Sequence, residues 1–138
     1  MKISPNTPCP CHSGMKYKKC CRPLHQGRKP DSPMQLMRSR YSAYALHNPD
    51  YIMHSTHAES PHAQENQALW RTNLLEFCEA TEFVGLEIIA EEFDDNSDEA
   101  WVTFKAILSQ GGQDASFTER SLFKKVDERW QYISADQD

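Results

Sequence analysis

Four of the chain's five cysteines fall within thirteen residues, in the stretch "CPCHSGMKYKKCC", as Cys9, Cys11, Cys20 and Cys21; the fifth, Cys78, stands alone. A disulfide between the neighbours Cys20 and Cys21 would need a distorted peptide unit, and one between Cys9 and Cys11 would close a strained ring. Longer-range pairs within the cluster stay geometrically open, but a reducing compartment opposes them. One Zn²⁺ fits better, because four thiolates at about 2.3 Å complete a closed tetrahedral shell. Such binding is worth roughly 10 kcal/mol or more to a segment with no core of its own. Pro8 and Pro10 stiffen the entry to the cluster. Ser13-Gly14 supplies a turn in which glycine can take positive φ, with backbone N–H groups able to point at the sulfurs. His12 and His25 are alternative ligands for one of the four sulfurs. A closed shell has no open position for a substrate, which argues against catalytic or redox use of the thiols. Cys78 reads as a small core residue.

The charge pattern singles out the same segment. Lys2, Lys16, Lys18, Lys19, Arg22, Arg28 and Lys29 give residues 1–30 seven bases and no acid, a charge of +7. Residues 31–138 hold all 20 acids against 8 bases, hence −12. A basic arm joined to an acidic body either folds back onto that body or serves an anionic partner. Four thiolates and one Zn²⁺ make a −2 centre, so part of the arm's charge is needed to offset the metal site, and the rest is surplus. Lys16, Tyr17, Lys18, Lys19 and Arg22 are the candidates for contacting a partner.

The stretch "PCPCHSGMKYKKCC" resembles the SEC-C motif, the zinc knuckle at the C-terminus of the bacterial secretion motor SecA and of various small proteins. Its pattern, C-x-C, eight residues, then C-C or C-H, maps onto Cys9, Cys11, Cys20 and Cys21. That motif usually has Gly or Asn after the second cysteine and a base after the glycine; His12 and Met15 depart from it. The resemblance implies one structural zinc. It also implies an acidic partner, since the SecA knuckle engages the acidic export chaperone SecB and the ribosome.

The elements that must carry this knuckle follow from periodicity. "RPLHQGRKPDSP" reads as an irregular strap, and Ser32-Pro33 as a helix cap with proline in the first turn. Met34, Met37, Tyr41, Tyr44 and Ala45 share one face of a helix to about His47. "DYIMHSTH" gives a second helix, and a third spans roughly residues 64–81, with Leu69, Trp70, Leu74, Leu75, Phe77 and Cys78 on or near its buried side. The period then changes to two. Val84, Leu86, Ile88 and Ala90 form one face of a first strand, and Val102, Phe104, Ala106 and Leu108 one face of a second. "ASFTERSLFKKV" and "RWQYIS" complete a meander. The expectation is an α+β chain: a zinc knuckle over 1–25, a linker over 26–33, and over 34–138 helices packed on a curved antiparallel sheet of four or so strands.

The blocks "CCRPLHQG", "LMRSRYSAY", "DYIMHSTH" and "ERSLFKKVDERWQYIS", in that order, resemble the YchJ-like family of small bacterial SEC-C proteins across nearly the whole chain. That family is similar to the cystatin-like cone of nuclear transport factor two and scytalone dehydratase, which implies a cavity under the curved sheet. Many members carry a Trp where this chain has Ser55-Thr56-His57, and longer members end in a second knuckle where this one reads "SADQD". A mechanism needing two zinc modules is therefore not expected. Candidate cavity residues are Arg40, Tyr41, Tyr44, His54, His57, Trp101, Glu119 and Trp130. Within that set, Arg40 with Glu119 reads as a helix-to-sheet ion pair, and His54 with His57 as surface histidines.

With no apolar leader and no run long enough to span a bilayer, a cytoplasmic address is expected. The resulting expectation is a zinc-binding adaptor whose basic knuckle docks on an acidic protein or the ribosome. The −12 body argues against duplex DNA, while Tyr17 between lysines leaves RNA contact open. The competing reading is a small-molecule-binding protein or a lyase- or isomerase-like enzyme using the cone, with the knuckle as an attachment. Homodimerisation through the open sheet face is a further expectation.

Overall fold

The computed structural model describes residues 2–94 and 96–136. Each long helix begins where a short polar side chain can accept from an unpaired N–H of the first turn. After the short α1 (Arg22–His25), Ser32 caps α2 (Pro33–Ala45), Asn48 caps α3 (Pro49–His54) and Asn66 caps α4 (Gln67–Ala80). Helix α2 stops two residues short of His47, which lies in the left-handed region at φ 55 and turns the chain into α3.

The strands are β1 (Glu82–Glu92), β2 (Glu99–Gln110), the two-residue β3 (Gln113–Asp114), β4 (Phe117–Val126) and β5 (Arg129–Asp136). They form one antiparallel five-stranded sheet in the order β1-β2-β4-β5, with β3 paired to β2. Alternation in β2 holds along its length, with Val102, Phe104, Ala106 and Leu108 buried. In β1 it does not, because bulges at Val84 and Ile89 each insert an unpaired residue and reset which side chains face the core. Val84 is 56% exposed and Ile89 57%, while Phe83 and Leu86 point inward. The single face expected for Val84, Leu86, Ile88 and Ala90 is therefore broken at both ends.

Helix α2 lies across the concave face, where Leu36, Met37 and Tyr41 pack on Val102, Phe123 and Trp130. Helix α4 packs on α3 and faces the sheet across a cavity, touching β1 through Phe77 against Phe83, and of its residues Trp70 and Cys78 are buried. Leu69, expected near its buried side, is 51% exposed. The loop after α3 lies along the outer edge of β5: the Tyr132 N–H donates to the Ser55 carbonyl at 2.9 Å, and the His57 N–H to the Tyr132 carbonyl at 2.8 Å. This covers an edge that would otherwise offer unpaired backbone groups. Among the described residues, no helix is long and apolar enough to cross a membrane.

Candidate functional site

The four clustered cysteines converge. Their Sγ atoms all lie within 4.8 Å of one another, with Cys11 to Cys20 at 3.5 Å and Cys20 to Cys21 at 3.9 Å. These separations are far beyond a disulfide bond. They match the edges of a tetrahedron of sulfurs around an ion bonded at about 2.3 Å, which are about 3.8 Å long. Cys9, Cys11 and Cys21 are buried and Cys20 is half-buried.

The backbone path explains the convergence. A bridge between Pro8 and Lys16 pairs the first cysteine loop with the return strand, with the Cys9 N–H donating to the Met15 carbonyl at 2.8 Å. Gly14, at φ 88, makes the turn. A 3-10 turn over Tyr17–Lys19 then delivers Cys20, and Cys21 starts α1. His12 also lies in the left-handed region, at φ 62. A glycine or asparagine would sit there with less strain, which accounts physically for the residues usual at this place in the motif. Besides the contacts among the sulfurs, two hydroxyls hydrogen-bond to them: Ser13 Oγ with Cys20 at 3.2 Å and Ser42 Oγ with Cys9 at 3.4 Å.

Packed this closely, the four sulfurs hydrogen-bond to one another. Hydrogen bonds from Cys21 and Cys9 hold the Cys11 thiol well below the ordinary range, while donating to those neighbours pushes Cys21 far above it. Burial, with the charge on Cys11, pushes Cys20 to about 11. A divalent cation would replace these protons and satisfy all four thiolates together. The donor set therefore fits a thiolate-bound metal ion.

The knuckle is fastened to α2 by a set of contacts that do not use its lysines. Arg38 Nη1 donates to the Cys11 carbonyl at 2.9 Å. His25 bridges Tyr17 and α2: Nε2 lies 2.8 Å from the Ser39 carbonyl and Nδ1 2.7 Å from the Tyr17 hydroxyl. A carbonyl only accepts, so Nε2 carries the proton and Nδ1 accepts from Tyr17. Both His25 nitrogens are thus engaged away from the sulfurs. The His12 ring packs edge-on against Tyr41 at 5.8 Å, and Leu24 is buried with Ala43, Tyr51 and Ile52. Lys16, Lys18 and Lys19 are exposed, and none has an ion-pair partner among the described residues. Arg22 is half-buried. Tyr17 is half-buried too, its ring against the cysteines and its hydroxyl taken by His25.

On the other side of α2 lies a cavity of about 420 Å³. Of the candidate residues, Arg40, Tyr41, Tyr44 and Glu119 line it, and His54, His57, Trp101 and Trp130 do not. His54 is exposed at the end of α3, and His57 Nδ1 accepts from the Glu59 N–H in a local turn. Trp101 sits on the convex face under the Arg120 guanidinium, 3.9 Å from its ring centroid, because β2 alternation puts it opposite Val102. Trp130 fills the core beside Phe93. Arg40 makes no ion pair with Glu119. Its Nη1 donates to the Ile52 carbonyl at 3.1 Å, Ser55 Oγ at 2.7 Å and Thr56 Oγ1 at 3.0 Å, and its guanidinium lies 4.4 Å from the Tyr132 ring centroid. Burial pushes the hydroxyl of Tyr41 to about 12 and that of Tyr44 upward, so both are proton donors at neutral pH rather than bases. Sequence reasoning missed Tyr132, Thr56 and Ser121 in the cavity wall, and Ser39 and Ser42 under the knuckle; Arg38, a sequence alternative to Arg40 for the cavity, lies under the knuckle instead. Tyr132 was within reach, since it shares a strand face with Trp130.

Comparison with known proteins accounts for both halves. Residues 6–23 match the SEC-C motif, and residues 32–135 match the family described as YchJ, middle NTF2-like domain. A UPF0225 protein of Serratia proteamaculans is 39% identical over 128 residues, covering 91% of this chain and 80% of its own length. A UPF0225 protein of Deinococcus radiodurans is 37% identical over 133 residues, covering 95% and 90%. The solution structure of RPA3114, a SEC-C motif containing protein from Rhodopseudomonas palustris, superposes with a TM-score of 0.80 at 32% identity, over 96% of this chain and 99% of that one. An NTF-2 like protein of unknown function from Shewanella oneidensis shares the fold alone, with a TM-score of 0.50 at 17% identity over 74% of this chain and 92% of that one. A four-cysteine knuckle carried on an NTF2-like cone, with relatives of this kind along nearly its whole length, makes the chain a member of the YchJ-like family of SEC-C proteins.

Proposed function

We propose that Cys9, Cys11, Cys20 and Cys21 hold one Zn²⁺, and that the knuckle so shaped docks on an acidic protein partner in the cytoplasm. The metal is structural on this reading: four thiolates fill the tetrahedron and no position is left for a substrate. The docking surface is Lys16, Lys18 and Lys19 with Arg22 beside them. Tyr17 serves it from within, tying the lysine loop to His25.

The observation that carries the reading is where the arm's charge goes. The arm is folded onto an acidic body, yet the fastening uses Arg38, His25, Ser42 and Leu24. Among the described residues, the arm's ion pair with the body is the local Arg28–Asp31 contact at 3.3 Å. Lys16, Lys18 and Lys19 stay in solvent without acidic partners among the described residues. Arg38 already sets a guanidinium against the knuckle at the Cys11 carbonyl, so offsetting a −2 centre does not by itself account for three exposed lysines. An exposed basic patch on a rigid base steers and selects an acidic partner. By similarity to the SecA knuckle, an acidic export chaperone and the ribosome are the first partners to test.

The experiment is affinity capture with the native chain and with Lys16, Lys18 and Lys19 all changed to Glu, metal content being checked in both. The reading expects the triple variant to keep its zinc and lose partners that the native chain holds at low salt and releases at high salt. Capture of the same partners at the same salt by both proteins would sink it.

A further inference from the structure

We propose that the cone's cavity binds a small aromatic or alicyclic molecule carrying a protonated amine, with the amine seated on Glu119. This goes beyond the docking role and does not rest on it. The cavity, at about 420 Å³, falls within the range of small-molecule sites. Its wall is mostly apolar and aromatic, with Trp70, Phe77, Phe83, Phe104 and Phe117 contributing rings. Two of these, Phe77 at 37% and Phe117 at 42%, remain exposed and give the mouth an apolar rim.

Three ionisable side chains other than tyrosine reach the cavity: His62, stacked on Tyr132, and the charged Arg40 and Glu119, which are in different states. Arg40 is satisfied: three acceptors from α3 and the residues just after it, together with the Tyr132 ring, use its guanidinium. Glu119 is not. It accepts from Ser121 Oγ at 2.5 Å, the one hydrogen bond to its carboxylate among the described residues. A carboxylate offers about four acceptor positions, so about three are left. No Lys, Arg or His pairs with it within ion-pair distance among the described residues. Half-buried beside aromatic rings and with no base in direct contact, this carboxylate offers acceptors to a ligand ammonium with two or three N–H donors. Aromatic faces around the approach attract the same cation, and the −12 of residues 31–138 favours its entry. The matching anion would meet Glu119 head-on.

The test uses the metal-loaded full chain and two matched probe pairs, tryptamine against indole propionate and phenethylamine against phenylpropionate, followed by backbone amide shifts. The expected result is saturable shifts around Phe117, Glu119, Ser121 and Tyr132 with at least one amine, bound about tenfold or more tighter than its carboxylate counterpart. Glu119→Gln should erase that preference while leaving the apolar part of the binding. If Glu119→Gln does not fold, Phe117→Ala at the rim replaces it and should weaken both members of a pair together. Absence of saturable shifts with both amines, equal binding of amine and acid, or a charge preference that survives Glu119→Gln would overturn the proposal. Since the lysine surface lies across α2, capture of a protein partner is unaffected by Glu119→Gln, which separates this proposal's failure from that of the docking reading.

Discussion

Replacing His25 by Phe tests how the knuckle is held on the body. The tilted ring contact with Tyr51, at 4.7 Å between centroids, is kept, while the bonds to the Ser39 carbonyl and from the Tyr17 hydroxyl are lost. Each bond contributes about 1 kcal/mol net, and the half-buried Tyr17 hydroxyl left without an acceptor adds about 1 kcal/mol more. The expected loss is about 3 kcal/mol, or a fall of about 6–12 °C in the thermal midpoint of a chain this size. The loss should depend on pH. Burial holds the His25 imidazole below its ordinary value, so the unfolded chain binds the extra proton first. The stabilisation is complete above about pH 6.5 and fades as pH falls through the lowered folded value. Thermal scans of the zinc-loaded native and His25→Phe proteins between pH 8 and pH 5 should therefore show a gap that narrows on the acid side. A gap below about 0.5 kcal/mol at pH 8, or one that widens in acid, would refute the tautomer and bonding assigned here.

Three other outcomes follow from local geometry. His12→Gly relieves a left-handed backbone but gives up the ring contact with Tyr41, so the two should nearly cancel, within about 1 kcal/mol. Gly14→Ala, at φ 88 with open space around its Cβ position, should cost about 1 kcal/mol through backbone strain alone, read as a lowered midpoint with metal content unchanged. The bulges in β1 predict opposite fates for neighbours: Val84→Thr should fall within about 0.5 kcal/mol of native, whereas Leu86→Ala should cost about 2–4 kcal/mol by denaturant titration.

What the sequence disclosed and what it hid divide along the range of the interactions. The convergence of the four cysteines was legible because their spacing is local, and the face of β2 because strict alternation survives along it. The face of β1 was not, since bulges at Val84 and Ile89 are set by pairing with β2 rather than by β1 itself. Tyr17 looked like an exposed ring between lysines, and only the approach of His25 from α1 turns it inward. Arg40 and Glu119 were both found, but as an ion pair; the backbone carbonyl at Ile52 and the hydroxyls of Ser55 and Thr56 outcompete the carboxylate, and no sequence pattern announces acceptors brought in from α3. Trp101 and Trp130 flank the cavity without entering it, one on the convex face and one in the core, because the direction of sheet curvature is a tertiary property.

The most direct test of the account is metal stoichiometry. Elemental analysis and native mass spectrometry of freshly purified chain should find one zinc per molecule, retained on gel filtration, with Cys78 the one thiol open to alkylation after unfolding in metal-preserving conditions. Cys11→Ser should lower zinc retention by orders of magnitude. Purified protein without stoichiometric metal and with all five thiols free would contradict it.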